Sequence, residues 1–287
     1  MKVLLLGSGG REHAIGWKLA QSPLISGLIA CPGNPGLAEI ADIEADVSPT
    51  DPAGVAALAG SHAVDLVVVG PEAPLAAGVA DALIERGIAV FGPVEHGARL
   101  ESSKAFAKEM MANANVPTAG YGDFSEEAPA LEYLESLDAP YVVKADGLAA
   151  GKGVLVTEDI EAARAWVTDF FGGRFADAGS RVNIEEYLDG NEVSIFYICS
   201  GTTAVPLQPA RDYKRLDDGD EGPNTGGMGC YSPVPDVPDY FTQWTRTHVA
   251  EPVLEALLED GVTYTGFLYV GLMLTDEGPK VLEFICR

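Results

Sequence analysis

The stretch KADGLAAGKGV, residues 144–154, sets two lysines eight positions apart with only two glycines, three alanines, one leucine and one aspartate between them. Tyr141-Val142-Val143-Lys144 reads as a strand, so the Lys144 ammonium projects from a rigid element, and residues 154–156 read as the strand that follows. A loop between two strands cannot draw on a helix dipole. Nor is it a P-loop, because Gly153 rather than Ser or Thr follows Lys152. Such a loop can bring backbone N–H groups close to a polyphosphate while the lysines neutralise charge, its glycines supplying the freedom to admit the ligand. The alternative is a bare hairpin turn. Two of only eight lysines in a strongly acidic chain favour the phosphate reading.

Upstream, apolar runs at 3–6, 28–30, 65–69 and 88–91 alternate with helical spacing at 12–21, 52–59 and 75–85. Continuous apolar strands alternating with helices predict a parallel sheet covered on both faces. Ligands of such sheets bind outside the carboxyl ends of the strands, which here are GSGGREH (7–13), CPGNPG (31–36), VGPEAPL (69–75) and FGP (91–93). GSGGREH stands where a dinucleotide fingerprint would stand, yet Glu12 replaces its third glycine and no acidic residue ends the second strand. A dehydrogenase is thereby disfavoured. Glycines opening a helix still make an anion site from backbone N–H groups, to which Arg11 adds charge, and a single phosphate fits better than a pyrophosphate. His13, at the head of the same helix, is placed to approach a sugar phosphate.

Downstream, a helix is expected at 103–113, a helix at 161–171, and strands at 181–187 and 192–199 forming a pair. Residues 208–238 read as an irregular polar passage, with a glycine-dense loop, GPNTGGMG, at 222–229. Long loops of that kind inside a compact domain are usually functional. A long helix at 242–259 and strands at 266–275 and 280–284 close the chain. Strands pairing around few helices predict α+β from about residue 100. In EEYLDGNE, 185–192, the backbone can pair with an adenine edge while Glu192 takes ribose hydroxyls.

Across 287 residues, 43 Asp and Glu face 18 Lys and Arg, a net charge of −25. This excess argues against nucleic-acid binding, which needs a basic face. Self-repulsion of that size weakens a compact state at low salt, so the acidic surface is read as an adaptation to a concentrated ionic medium. No run approaches a membrane span and the first residues read as a buried strand, so a cytoplasmic location is expected. Cys31, Cys199, Cys230 and Cys286 show no zinc spacing and read as structural thiols.

With these residues in hand, the sequence resembles the glycinamide ribonucleotide synthetase family of the ATP-grasp superfamily. GSGGREHA, VGPEAPL, ESSKAF, KADGLAAGKGV, IEEYLDGNEVS, DYKR, GPNTGGMGCYSP, YTGFLYVGLM and VLEF follow in that family's order and spacing. The resemblance implies an α/β chain: a Rossmann-like, pre-ATP-grasp parallel-sheet domain at 1–100 that binds phosphoribosylamine, then an α+β ATP-grasp domain at 101–287 with a lid subdomain near 120–190. It implies a monomeric enzyme that uses ATP, with magnesium or manganese, to join glycine to 5-phosphoribosylamine through glycyl phosphate in purine biosynthesis, with no nucleic acid or membrane partner.

Carried over by motif, Lys104 and Lys144 hold phosphates, with Gly147, Gly151 and Gly153 of the lid strip above them. Glu185, Glu186 and Leu188 line the adenine, and Glu192 meets the ribose. Gly9, Gly10, Arg11 and Glu72, with Asn224 and Gly226, face the other substrates. Lys144, Asp212, Lys214 and Arg287 are the catalytic candidates, and Glu283 resembles a metal ligand. Three departures stand out. Ile285 replaces the asparagine that serves the family as a magnesium ligand, and Arg211 replaces a glutamine. The chain also stops at Arg287, so the family's C-terminal domain is expected to be absent. Two alternatives follow: a nucleotide-binding fragment that turns nothing over, or another ATP-grasp carboxylate–amine ligase. The acidic surface predicts a melting temperature that rises with potassium chloride, measured by circular dichroism; one that does not rise contradicts salt adaptation.

Overall fold

The computed structural model describes residues 1–146, 153–174, 181–219, 221–238 and 240–287. It opens with a five-stranded parallel sheet: β1 (Lys2–Gly7), β2 (Gly27–Pro32), β3 (Asp42–Ile43), β4 (Leu66–Val69) and β5 (Ala89–Phe91), in the order β3-β2-β1-β4-β5. Successive side chains of a strand point to opposite faces, and here both faces are covered. Leu4 and Leu6 pack with Val67, Val69 and the helices α2 (Pro52–Ser61) and α4 (Val79–Glu85). Val3 and Leu5 pack with Leu28, Ala30, Leu37 and α1 (Gly10–Ala20) on the other side. That two-sided burial is why the strands read as unbroken apolar runs. The order reverses between β1 and β4, so their carboxyl ends part to leave a crevice.

The helix expected at 75–85 is two helices. α3 (Glu72–Ala76) and α4 are divided at Gly78, whose φ of 78° is left-handed backbone open to glycine at little cost. The apolar spacing runs across the break, which hides it in the sequence. The expected helix at 103–113 is α6 (Lys104–Asn113), capped by Ser103, whose hydroxyl accepts the Phe106 N–H at 3.3 Å. α5 (Glu95–Ser102), just before it, had no separate sequence expectation.

Beyond α6 the strands are antiparallel. β6 (Tyr121–Phe124), β7 (Tyr141–Ala145), β8 (Val154–Thr157) and β9 (Val182–Glu185) form a four-stranded sheet in the order β6-β9-β7-β8. α7 (Glu127–Glu135) and α8 (Ile160–Asp169) supply Ala130, Leu134, Ala163 and Val167 to its core. A second sheet, β11-β10-β14-β15, is built from β10 (Asn191–Ser200), β11 (Thr203–Pro206), β14 (Thr265–Thr275) and β15 (Gly278–Cys286). One face of it packs on α6, α9 (Phe241–Thr245) and α10 (Glu251–Glu259), burying Val193, Ile195, Val270, Val281 and Phe284.

Two expectations are corrected here. The strands read at 181–187 and 192–199 do not pair: β9 lies between β6 and β7, whereas β10 lies between β11 and β14. The segment between them is a crossing from one sheet to the other. Second, much of the irregular passage is an antiparallel ribbon of β12 (Arg211–Asp217) and β13 (Glu221–Tyr231), with register shifts between Tyr213 and Arg215 and between Arg215 and Asp217. Its glycine-rich strand lacks the side-chain alternation that marks a strand. The ladder, a hydrogen bond from the Thr225 hydroxyl to the Lys214 carbonyl at 2.9 Å, and stacked Tyr213 and Tyr231 rings hold it.

The two halves meet tightly at Gly266. A Cβ there would lie 2.1 Å from the Arg287 carbonyl oxygen and 3.2 Å from the Gly92 Cα, and its φ of +142° is strained for any other residue. Gly266→Ala is therefore predicted to destabilise the fold by about 2 kcal/mol or more, read from the urea midpoint. An unchanged midpoint would contradict this packing.

Candidate active site

The crevice at the parallel-sheet switch point is tied from three loops. Gly9 caps α1, and its N–H donates to Glu12 Oε2 at 2.6 Å. The Asn34 amide donates to the Ser8 and Gly9 carbonyls at 3.0 and 3.2 Å, and Arg11 Nη1 donates to the Gly70 carbonyl at 3.1 Å. Glu12 is only 3% exposed, and its carboxylate fills the space beside Gly7 and Gly70. The residue that breaks the dinucleotide fingerprint thus braces the loop that the third glycine would otherwise leave open. Gly10 and Arg11 lie on the exposed rim of the same turn. His13, expected near a sugar phosphate, turns its ring onto Gly36 in the loop after β2.

Glu72, the first residue of α3, lies across the crevice and meets Arg287 Nη2 at 3.0 Å. Arg287 is 8% exposed, and its Nη1 also pairs with Glu101 of α5. Burial lifts the Glu101 carboxyl above its ordinary range even with Arg287 opposing. The end of β15 is thereby clamped to the mouth of the parallel sheet.

A second cluster gathers between the two antiparallel sheets. Lys144, near the end of β7, donates to Glu185 Oε2 at 2.8 Å, and Lys108 of α6 lies 3.2 Å from Oε1 of the same carboxylate. Burial lifts the Glu185 carboxyl, but Lys144 and Lys108 overcome it and hold it below the usual carboxylate range. Lys104 Nζ donates to the Ala145 carbonyl at 2.7 Å, while its backbone N–H donates to Asp146. Burial first, and then repulsion from Lys144, lowers the Lys104 ammonium. Ammonium groups crowded in this way are relieved by an anion between them, so the cluster fits the phosphates of a nucleotide. Gly153 accepts from the Ala145 N–H at 2.7 Å; Gly147 and Gly151 lie outside the described residues.

The open face of the second sheet completes the cleft. Glu192 and Ser194 of β10 stand opposite Met273 and Gly271 of β14, while Gly271 and Tyr269 stand opposite Glu283 and Ile285 of β15. The Ser194 hydroxyl donates to the Tyr269 hydroxyl at 3.0 Å. Lys214 of β12 closes on Glu192 and lies 3.8 Å from Asp212. Burial lowers the Lys214 ammonium, yet Tyr269 and the Glu192 carboxylate more than offset it and hold it above the lysine range. The Glu192 carboxylate, expected on a ribose, is here engaged by Lys214. Arg211 donates from Nε to the Glu192 carbonyl at 3.0 Å and pairs with Asp236 at 2.9 Å, fastening β12 beside β10.

In the crossing, the Glu185 carboxylate belongs to the lysines, Glu186 pairs with Lys280 at 3.1 Å, and Leu188 is buried. Gly226 is exposed on β13, and the backbone of Asn224 pairs with Arg215. Sequence reasoning gave no role to Glu101 and Asp146, although they lie in ESSKAF and KADGLAAGKGV, and Lys108 carried no signal beyond standing one turn after Lys104. Among the described residues no three His, Cys, Asp or Glu groups gather to hold a metal ion. Glu283 offers one exposed carboxylate, and Ile285, two positions along the same strand face, offers no oxygen. A divalent ion on this strand would therefore have only the Glu283 carboxylate and would have to keep waters and take phosphate oxygens. Among the described residues no helix is long and apolar enough to cross a membrane.

Comparison with known proteins matches this geometry. Sequence models of phosphoribosylglycinamide synthetase match in order, the N domain over residues 1–101 and the ATP-grasp (A) domain over residues 102–287. Phosphoribosylamine–glycine ligase of Caulobacter vibrioides is 51% identical over 287 residues, which is 100% of this chain and 67% of the relative. The crystal structure of phosphoribosylamine–glycine ligase from Thermotoga maritima aligns at a TM-score of 0.85 and 36% identity, over 100% of this chain and 69% of that one. The biotin carboxylase domain of Hydrogenobacter thermophilus 2-oxoglutarate carboxylase, a complex with ADP and bicarbonate, shares the fold alone, at a TM-score of 0.76 and 15% identity over 100% of this chain and 64% of that one. With the family's N domain and ATP-grasp (A) domain matched in order across residues 1–287, the chain belongs to the phosphoribosylglycinamide synthetase family.

Proposed function

We propose that this chain ligates glycine to 5-phosphoribosylamine with ATP, giving glycinamide ribonucleotide, ADP and phosphate. The observation that carries the reading is the contiguity of the two sites: Arg287 joins β15, which bears Glu283, to Glu72 at the mouth of the parallel sheet. An anhydride made in the cleft thus faces an amine held in the crevice. On this reading the chain divides near residue 100, with the lid subdomain near 120–190.

A glycine carboxylate oxygen attacks the γ-phosphorus and the bond to ADP breaks. The amine of phosphoribosylamine then attacks the acyl carbon, phosphate leaves, and the amine loses a proton. Both steps need positioning and charge neutralisation rather than a covalent partner from the protein. Lys104 and Lys144 meet the phosphate charge, while Leu188 and the backbone of 185–188 border the adenine. The Glu192 carboxylate passes between Lys214 and the ribose, and Lys214 with Asp212 orients the acceptor side. Gly9, Gly10, Arg11 and Glu72 hold the phosphoribosyl group, and Arg287 fixes Glu72. Glu283 is the residue that would hold a divalent ion, which would supply charge neutralisation on the phosphate oxygens when bound. A cytoplasmic monomer that needs no nucleic acid or membrane suits a reaction among small charged metabolites.

The direct test supplies ATP, glycine and phosphoribosylamine and measures glycinamide ribonucleotide and ADP together. ADP binding without product would mark a chain that holds nucleotide and turns nothing over. Lys144→Met should weaken ADP binding by about 10- to 100-fold, the worth of one charge-assisted contact, with an unchanged circular dichroism spectrum. Undiminished affinity would remove Lys144 from the phosphate site. Ile285→Asn should lower the magnesium concentration at which ADP binding is half-enhanced; no change would place the ion away from β15.

A further inference from the structure

Lys108 lies one turn beyond Lys104 on α6, a place where an exposed lysine would be ordinary, yet it is 2% exposed. A buried ammonium is costly unless it is paired and hydrogen-bonded. Its Nζ donates to the Thr118 hydroxyl at 2.8 Å and lies 3.2 Å from Glu185 Oε1, with the Ala119 carbonyl at 3.4 Å and the Tyr121 ring centroid at 5.1 Å. The Thr118 hydroxyl in turn donates a hydrogen bond to the Val281 carbonyl at 2.7 Å, on the strand that carries Glu283. Residues 117–121 lead the chain out into the β6-β9-β7-β8 sheet, and residues 185–190 lead it back. The two crossings bond to each other through the Glu186 N–H and the Gly120 carbonyl at 2.9 Å. One ammonium therefore touches both crossings at the point where they meet.

The charges around Glu185 give this contact a consequence for the ligand. The Glu185 carboxylate is 2% exposed and divides its oxygens, Oε2 to Lys144 and Oε1 to Lys108. With Lys144 alone it would form a neutral pair, and the ammonium facing the cleft would have little left to offer a phosphate. With Lys108 present the trio carries one net positive charge. Of the two lysines, Lys108 is sealed in the interior while Lys144 is the more exposed. We propose that Lys108 is a positioning residue for the nucleotide phosphates: it occupies half of the Glu185 carboxylate and so leaves the charge of Lys144 available, and fixed in place, for the anion. This rests on the ligase reading, in which Lys144 meets the phosphates of ATP.

The test is titration calorimetry of the full chain with ADP and, separately, with adenosine. Lys108→Met should raise the ADP Kd about tenfold or more, the usual cost of losing a residue that orients a ligand group, and leave the adenosine Kd unchanged. Adding Glu185→Gln to that variant removes the carboxylate that would capture Lys144 and should restore most of the ADP affinity. Lys108→Gln keeps a donor for Thr118 without the charge, and is read in the same way if Lys108→Met does not fold by circular dichroism. An ADP Kd that does not move, an equal loss for adenosine, or a double variant no better than the single would each overturn the positioning role. A parent chain that binds no ADP would overturn the ligase reading instead.

Discussion

The structure turns on one carboxylate that has no place in the interior except between two cations. Glu185 ends β9 just before the chain leaves one antiparallel sheet for another, and Lys144 and Lys108 hold its two oxygens from different elements. Desolvating three charged groups is unfavourable unless their geometry is good and their remaining bonds are made. Here Thr118 and the Ala119 carbonyl make those bonds on the Lys108 side. The arrangement fixes how the two sheets sit around the cleft and where an ammonium can face an anion. Breaking it would leave a charge in a place that water does not reach.

The same economy appears at the other end of the cleft. Arg287 closes β15 against two carboxylates from two helices, Glu72 and Glu101, so the strand that bears Glu283 and the mouth of the parallel sheet are held as one surface. Glu12 braces the turn after β1 from below, with its carboxylate on the Gly9 N–H. In the proposed ligation, nucleotide chemistry and sugar-phosphate recognition would rest on separate sheets, whose relative position is set by the Arg287 ion pairs and by one close backbone approach at Gly266. This division suits a two-step ligation, in which an activated acid must be made and then handed to an amine without diffusing away.

Much of this was legible in the residues, and the failures have physical causes. The parallel sheet shows itself because burial on both faces writes unbroken apolar runs, as in Leu4-Leu5-Leu6. The loops that bear Lys144 and Glu72 stood out by their glycines and prolines, whereas Lys104 was singled out only through the family resemblance of ESSKAF. The break at Gly78 was invisible because apolar spacing continues across it. The ribbon of β12 and β13 was missed because backbone bonds, rather than alternating side chains, carry it. β9 and β10 were read as a pair because neighbours in sequence commonly pair, whereas the chain changes sheets between them. Lys108 could not be singled out, since a lysine four residues from another on a helix reads as solvated surface. Its burial is decided by Thr118 and Glu185, far along the chain. The engagement of Glu192 by Lys214 likewise depends on how the ribbon folds over β10, which no local pattern records.

In the proposed ligase, the lysines around Glu185 meet the phosphates of a nucleotide whose sugar and base lie toward the crossing at 185–192. A crystal structure of this chain with a non-hydrolysable ATP analogue tests it most directly. Phosphate oxygens should lie within hydrogen-bond distance of Lys104 Nζ and Lys144 Nζ, with the base against Leu188. Phosphates bound at the switch-point crevice, or at any surface away from both lysines, would contradict it.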